Sequence, residues 1–122
     1  MATNTIPLNT FKTITYNPTS SPTIVYTAPV NVTTVILLAQ VSNIDPANTL
    51  TTSASFVRSG VLTSVIKDTP IPIQDALNLL TGKLVLQTGD SFSISANTYG
   101  LSSLVLANSA QLILSILETA NQ

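Results

Sequence analysis

The side chains able to do chemistry in this chain are few, and they are carboxylates. Neither Cys nor His occurs among the 122 residues, which removes thiolate nucleophiles, imidazole bases and metal centres built on nitrogen or sulfur ligands. What is left is a pair of acids acting as general acid and base, or as acid and nucleophile. Asp68, Asp75 and Asp90 are the candidates. Each falls in a turn-like setting with Pro or Gly close by, where an Asp side chain hydrogen-bonds its own backbone, so the expectation is structure and not catalysis. Their spacing matches no calcium loop with acids at alternate positions and a closing Glu. Gly82 and Gly89 lie in turns without the Gly-Lys-Ser/Thr that closes a phosphate loop. The sequence therefore predicts no metal, no cofactor and no enzyme.

Binding chemistry is equally sparse. Flat aromatic platforms for sugars are missing, for there is no Trp and only three Phe and three Tyr. Tyr99, beside Gly100, is the lone loop aromatic and a candidate contact residue. Four Lys plus Arg against five Asp plus Glu leave a net charge of -1, so there is no basic field to gather nucleic acid or an anionic membrane. The longest apolar run, Val35-Ile36-Leu37-Leu38-Ala39, is far short of the roughly 20 residues of a membrane-spanning helix. Nor does the start of the chain have the basic region and apolar core of a secretory signal. Charged residues make 7 % of the chain, against about 25 % in ordinary domains. A chain this close to neutrality has little colloidal protection and is expected to live in an assembly.

The elements follow from what replaces charge. Thr and Ser make 33 of the 122 residues; β-branched Thr suits a pleated, half-exposed sheet, and Ser with Asn suits turns. Residues 1–10 read as an extended arm and residues 11–122 as one domain. Strands are expected at residues 11–16, at 23–27 near a sheet edge between prolines, and at 33–42, whose uncharged apolar run marks a central strand covered on both faces. Residues 50–58 and 61–67 should pair across the tight turn Ser59-Gly60. Pro70 and Pro72 should keep residues 68–75 out of any ladder, as a crossing between sheets, and residues 75–80 should form one helical turn capped by Asp75. Residues 83–87 and 91–96 alternate on either side of Thr88-Gly89-Asp90, the pattern of a hairpin. With a break at Asn108-Ser109, two last strands fall at 103–107 and 111–118. About nine short strands indicate an all-β protein, an antiparallel β-sandwich or barrel.

Several pieces in order carry a resemblance: Tyr26 to Pro29 as a "Tyr-x-Ala-Pro" strand end, the apolar Val35 to Leu38, the crossing Ile71-Pro72-Ile73, the turn Gly89-Asp90, and the closing Ser115-Ile116-Leu117-Glu118. Across residues 22–118 the chain resembles small structural proteins of tailed bacteriophages, cyanophage virion proteins among them. That resemblance implies a β-sandwich of jelly-roll type in the virion, on the capsid exterior as a decoration (cement) protein made in the host cytoplasm. Its partners would be copies of itself, as a homotrimer, and the major capsid protein or other virion proteins. The arm would reach over a neighbour with Ile6, Leu8 and Phe11 as anchors, since a segment without its own core orders only on a partner. Alternatives are a neck, tail or baseplate subunit of the same fold, and a surface module that binds a glycan or receptor around Tyr99.

Overall fold

The computed structural model describes residues 9–121, and every helix or strand element among them is a strand. In chain order these are β1 (Asn9–Tyr16), β2 (Thr23–Thr27), β3 (Val32–Asn43), β4 (Leu50–Arg58), β5 (Val61–Ile71), β6 (Ala76–Asn78), β7 (Leu84–Leu86), β8 (Ser91–Thr98) and β9 (Ala110–Ala120). A five-stranded sheet runs β1-β9-β3-β6, with β7 also paired to β3; a four-stranded sheet runs β2-β8-β4-β5. Every pairing is antiparallel. The expected antiparallel β-sandwich is thus the fold.

The topology is that of a jelly roll. Because β3 gives one edge to β9, both β6 and β7 must lie along its other edge, at Gln40–Ser42 and Thr34–Ile36. They are one strand interrupted where a bulge between Ile36 and Leu38 inserts Leu37 into β3. Counted so, the sheets hold the first, eighth, third and sixth strands and the second, seventh, fourth and fifth, which are two nested Greek keys. Period-two alternation sends Ile36, Leu114 and Ile116 from one sheet, and Leu50, Phe92 and Ile94 from the other, into a single core where each is at most 1 % exposed.

The β4–β5 hairpin forms as expected. Ser59 (φ 53°) and Gly60 (φ 78°) are both left-handed, the pair of conformations whose twist matches two antiparallel strands. Thr23–Thr27 is an edge strand, and β3 lies inside its sheet between β9 and the β6/β7 line.

Other elements depart from expectation for physical reasons. Thr88-Gly89-Asp90 does not close a hairpin; it carries the chain from β7 in one sheet to β8 in the other. Alternation puts Leu86 and Phe92 in the same core, but it does not say from which side. That turn is pinned to Ala28, whose carbonyl accepts from the Gly89 N–H at 3.0 Å and whose N–H donates to the Asp90 carbonyl at 2.9 Å. The expected helical turn at 75–80 is instead β6, because pairing with β3 supplies backbone partners that six residues of helix lack. Pro70 does lie in a ladder, opposite Thr51; β5 is an edge strand, where a missing N–H leaves nothing unpaired. The crossing is confined to residues 72–75. Residues 103–107 form no strand. Thr98 holds them as a loop, its N–H donating to the Ser103 carbonyl and its hydroxyl accepting from the Val105 N–H, both at 2.9 Å.

One end of the sandwich is closed by a buried amide. Asn43 is 1 % exposed, and its Nδ2 donates to the carbonyls of Asn48, Ile71 and Pro72 at 3.0, 3.0 and 3.1 Å. Its Oδ1 accepts from the Asp45 N–H at 2.8 Å. Asp45, also buried, accepts in turn from the N–H groups of Ala47 and Asn48. One side chain therefore ties the β3–β4 loop to the β5–β6 crossing. Asn43→Ala strands these partners in a dry site, and a loss of about 4 kcal/mol is expected at roughly 1 kcal/mol per broken bond. Urea unfolding checks it: the midpoint falls while the slope stays unchanged.

Candidate functional site

On the five-stranded sheet, the residues that alternate with the core point outward. At one level they are all apolar: Phe11 is opposite Leu117, Leu117 opposite Val35, and Val35 opposite Val85. An unbroken apolar row therefore crosses β1, β9, β3 and β7. Phe11 is 72 % exposed and Val85 49 %, with Leu117 and Val35 half-buried between them. The bulged Leu37 and Ile113 of β9 add further exposed apolar side chains. Polar positions of this face are filled by Thr13, Thr15, Gln40 and Ser115, and its strands contribute no charged side chain.

The charges are committed elsewhere. Lys12 pairs with Glu118 at 2.9 Å, and Glu118 also accepts from the Tyr26 hydroxyl, which meets Thr34 Oγ1 at 2.7 Å. This group joins β2 of one sheet to β1, β9 and β3 of the other. Lys12 and then Tyr26 hold the Glu118 carboxyl below its ordinary value; burial first, and the Glu118 acceptor second, push the Tyr26 phenol up to about 12. Arg58 grips Asp90 with two bonds, Nε to Oδ1 at 2.9 Å and Nη2 to Oδ2 at 2.6 Å. Asp90 also accepts from the Gln87 N–H, and Arg58 leads the causes that hold its carboxyl low. The Ala47 N–H does most to hold Asp45 low.

Of the residues expected to make contacts, Phe11 stands in the apolar row. Tyr99 is 65 % exposed but follows β8 at the other end of the sandwich, where its N–H donates to the Thr49 carbonyl. The fold does not bring them together. Ile6 and Leu8 lie outside the described residues. Sequence reasoning does not name Leu117, Val35 or Val85 as contact residues. The signal was there in the uncharged run of β3, but reading that run as covered on both faces hid its open side.

The three carboxylates are not assembled either. Asp90 sits in the β7–β8 turn, Asp75 in the β5–β6 crossing with Oδ1 accepting from the Ala76 N–H, and Asp68 in an irregular stretch of β5 with its N–H donating to Ser53 Oγ. Among the described residues no three acids gather in a possible metal cluster. Asp90 exceeds the local turn role expected of it, because its main partner, Arg58, lies 32 residues away in sequence.

Neither a family model nor a curated protein matches this chain. Its fold is shared by solved structures. One, from Bacillus endospore appendages described as a novel family of disulfide-linked pili, superposes with a TM-score of 0.52 at 10 % identity over 93 % of this chain and 88 % of that one. Another, from the T13 IBDV viral particle, does so with a TM-score of 0.53 at 10 % identity over 99 % of this chain, which spans 35 % of that one. At this identity the likeness is one of fold.

Glu118, Asp90 and Asp45 all titrate lower in the folded chain than their ordinary values near 4. A carboxylate lowered on folding adds stability above its unfolded pKa, and that stability is lost as pH falls through the folded value. The melting temperature should therefore be flat from pH 7 to about 5 and fall steadily below about 4. Asp90→Asn should start lower at pH 7 and fall less with acid. Calorimetric scans across this range decide it; equal acid slopes for the two proteins would show that Asp90 is not held by Arg58.

Proposed function

We propose that this chain is a non-enzymatic structural subunit of a virion of the tailed-bacteriophage kind: a decoration protein that packs on the outside of the capsid shell and stiffens junctions between shell subunits. The observation that carries the reading is the uncharged apolar row Phe11–Leu117–Val35–Val85 on the outer face of one sheet. The jelly-roll likeness to a viral particle protein supports it. So does the scarcity of charge, since exposed ion pairs contribute little and are screened by salt, whereas apolar contacts hold through wide salt variation. Burying several hundred Å² of such surface at roughly 25 cal/mol per Å² offsets the ordering cost of docking, and symmetry repeats the gain. In this reading copies associate as a trimer. In the same reading Ile6, Leu8 and Phe11 are anchors on a neighbouring copy or the major capsid protein.

A filament subunit is the second reading. It rests on the superposition with the endospore appendage protein, which extends over 88 % of that chain. Cross-linking by disulfides, as in those pili, is closed to this chain, which has no Cys.

Phe11→Ser together with Val85→Ser should leave the melting temperature nearly unchanged, because both side chains face outward, while converting the assembled protein to monomers and abolishing its uptake by bare shells. Sedimentation velocity and co-sedimentation with shells measure both. A wild-type chain that stays monomeric at every concentration and ignores shells overturns the proposal, and negative-stain images of open fibres instead of closed particles favour the filament.

A further inference from the structure

We infer that the outer face of the four-stranded sheet carries a binding cleft for a hydroxyl-rich ligand, a short stretch of neutral polysaccharide. Along β8 and β4 the middle of this face is small and hydroxylic, with the exposed apolar Ile24 and Leu62 on the edge strands either side. Ser93, Ser55 and Ser64 stand directly opposite one another across β8, β4 and β5, and Ser95 is opposite Ser53 in the next row. Because a serine rises little above the backbone, the sheet is hollowed here. Pro22 bounds one side and Leu62 with Lys67 the other, around a cavity of about 390 Å³, within the range of small-ligand sites.

The floor is built and unspent. Ser93 and Ser95 are 5 % and 9 % exposed, line the cavity, and make no side-chain hydrogen bond with another described residue. The side-chain oxygen of Asn97, which also lines the cavity, is buried and has no donor among the described residues. Buried polar groups are ordinarily paired, and an exception calls for an explanation. Further along, Asp68 Oδ1 accepts from Ser53 Oγ at 3.2 Å, which fixes a carboxylate at the rim.

These groups select the ligand class. Serine hydroxyls donate and accept, as sugar hydroxyls do, and the Asn97 oxygen and Asp68 carboxylate add acceptors. A peptide adding as a strand would find no partners on the floor, since β8 and β4 already spend their backbone groups on each other. An anionic ligand would meet Lys67 and Asp68 together, with no net positive charge. With no aromatic platform in the lining, affinity should be weak, with dissociation constants around 1 mM.

The test is titration of the isotopically labelled full-length protein with dextran, mannan and N-acetylglucosamine oligomers, followed by amide chemical shifts. At least one probe should shift Ser53, Ser93, Ser95 and Asn97 saturably. Ser55→Leu, which fills the cavity, and independently Ser64→Leu at the exposed edge, should weaken that probe tenfold or more at an unchanged melting temperature. Absence of saturable shifts with all three probes overturns the proposal, as do shifts confined to the Tyr99 loop. Binding of dextran sulfate but not dextran overturns it by showing that charge is what is read. If Ser55→Leu changes the sedimentation coefficient and no probe binds, the cleft seats a second copy and the proposal also fails. The cleft lies on the sheet opposite the apolar row, so Phe11→Ser with Val85→Ser should not alter probe binding, and the two proposals stand or fall separately.

Discussion

Each sheet of this molecule is closed by a strand that arrives late in the chain, and the rest of the architecture depends on those two insertions. β9 lies between β1 and β3, and β8 between β2 and β4. Until the C-terminal third is in place, β1 and β2 therefore have no partner in the sandwich. Phe11 and Leu117, adjacent in the fold, are separated by nearly the whole sequence. Contacts of this range must first meet the entropy of closing long loops, which makes jelly rolls slow and cooperative folders. β8 and β9 accordingly carry the densest core alternation, with Phe92, Ile94, Leu112, Leu114 and Ile116 all at most 1 % exposed.

A chain with nine charged side chains has few electrostatic fasteners, and their placement is economical. Arg58–Asp90 secures the turn through which β8 enters its sheet, tying it to the end of β4. Lys12–Glu118, with Tyr26 and Thr34, links the two sheets beside β9. Asn43 and Asp45 do by hydrogen bonding at the other end what these pairs do here. Both ends of the sandwich are closed by polar groups whose partners are satisfied internally, and both broad faces are left without a charge-based identity. What distinguishes the faces is what fills their middles, an apolar row on one and serines on the other.

Sequence reasoning reached the fold class because alternation and turn chemistry are local. Thr23–Thr27 between its prolines, the Ser59-Gly60 hairpin and the long apolar β3 all carry their signal within a few residues. It failed where the answer depended on a partner. Leu84–Leu86 and Ser91–Thr98 alternate identically whether they pair with each other or with β3 and β4 in opposite sheets. Pro70 reads as a strand breaker until β5 is known to be an edge. Asp75 reads as the cap of a helical turn until residues 76–78 are known to pair with β3. The contact residues fared likewise: Phe11 could be named from its position beside a polar arm, whereas the row it belongs to exists only through the register of β1, β9, β3 and β7.

The edges of the two sheets give an independent reason to distinguish them. Exposed edge strands invite pairing with other chains, and proteins blunt them with Pro, Lys, bulges or brevity. On the four-stranded sheet, β5 carries Lys67, Pro70 and irregular register, while β2 is five residues long with a register shift and has Pro22 and Pro29 close to its ends. On the five-stranded sheet, β6 and β7 are three residues each. β1 is different: eight residues in regular register with β9, no proline, and a single Lys12 whose ammonium is drawn to Glu118. The one long edge without these safeguards thus borders the one apolar face. Their coincidence on the same strand, where Phe11 begins the apolar row, is what a joint between copies requires, since a neighbour could meet backbone groups and buried area in a single approach. The opposite sheet is guarded at both edges, and the middle of its face, along β8 and β4, is hydroxylic.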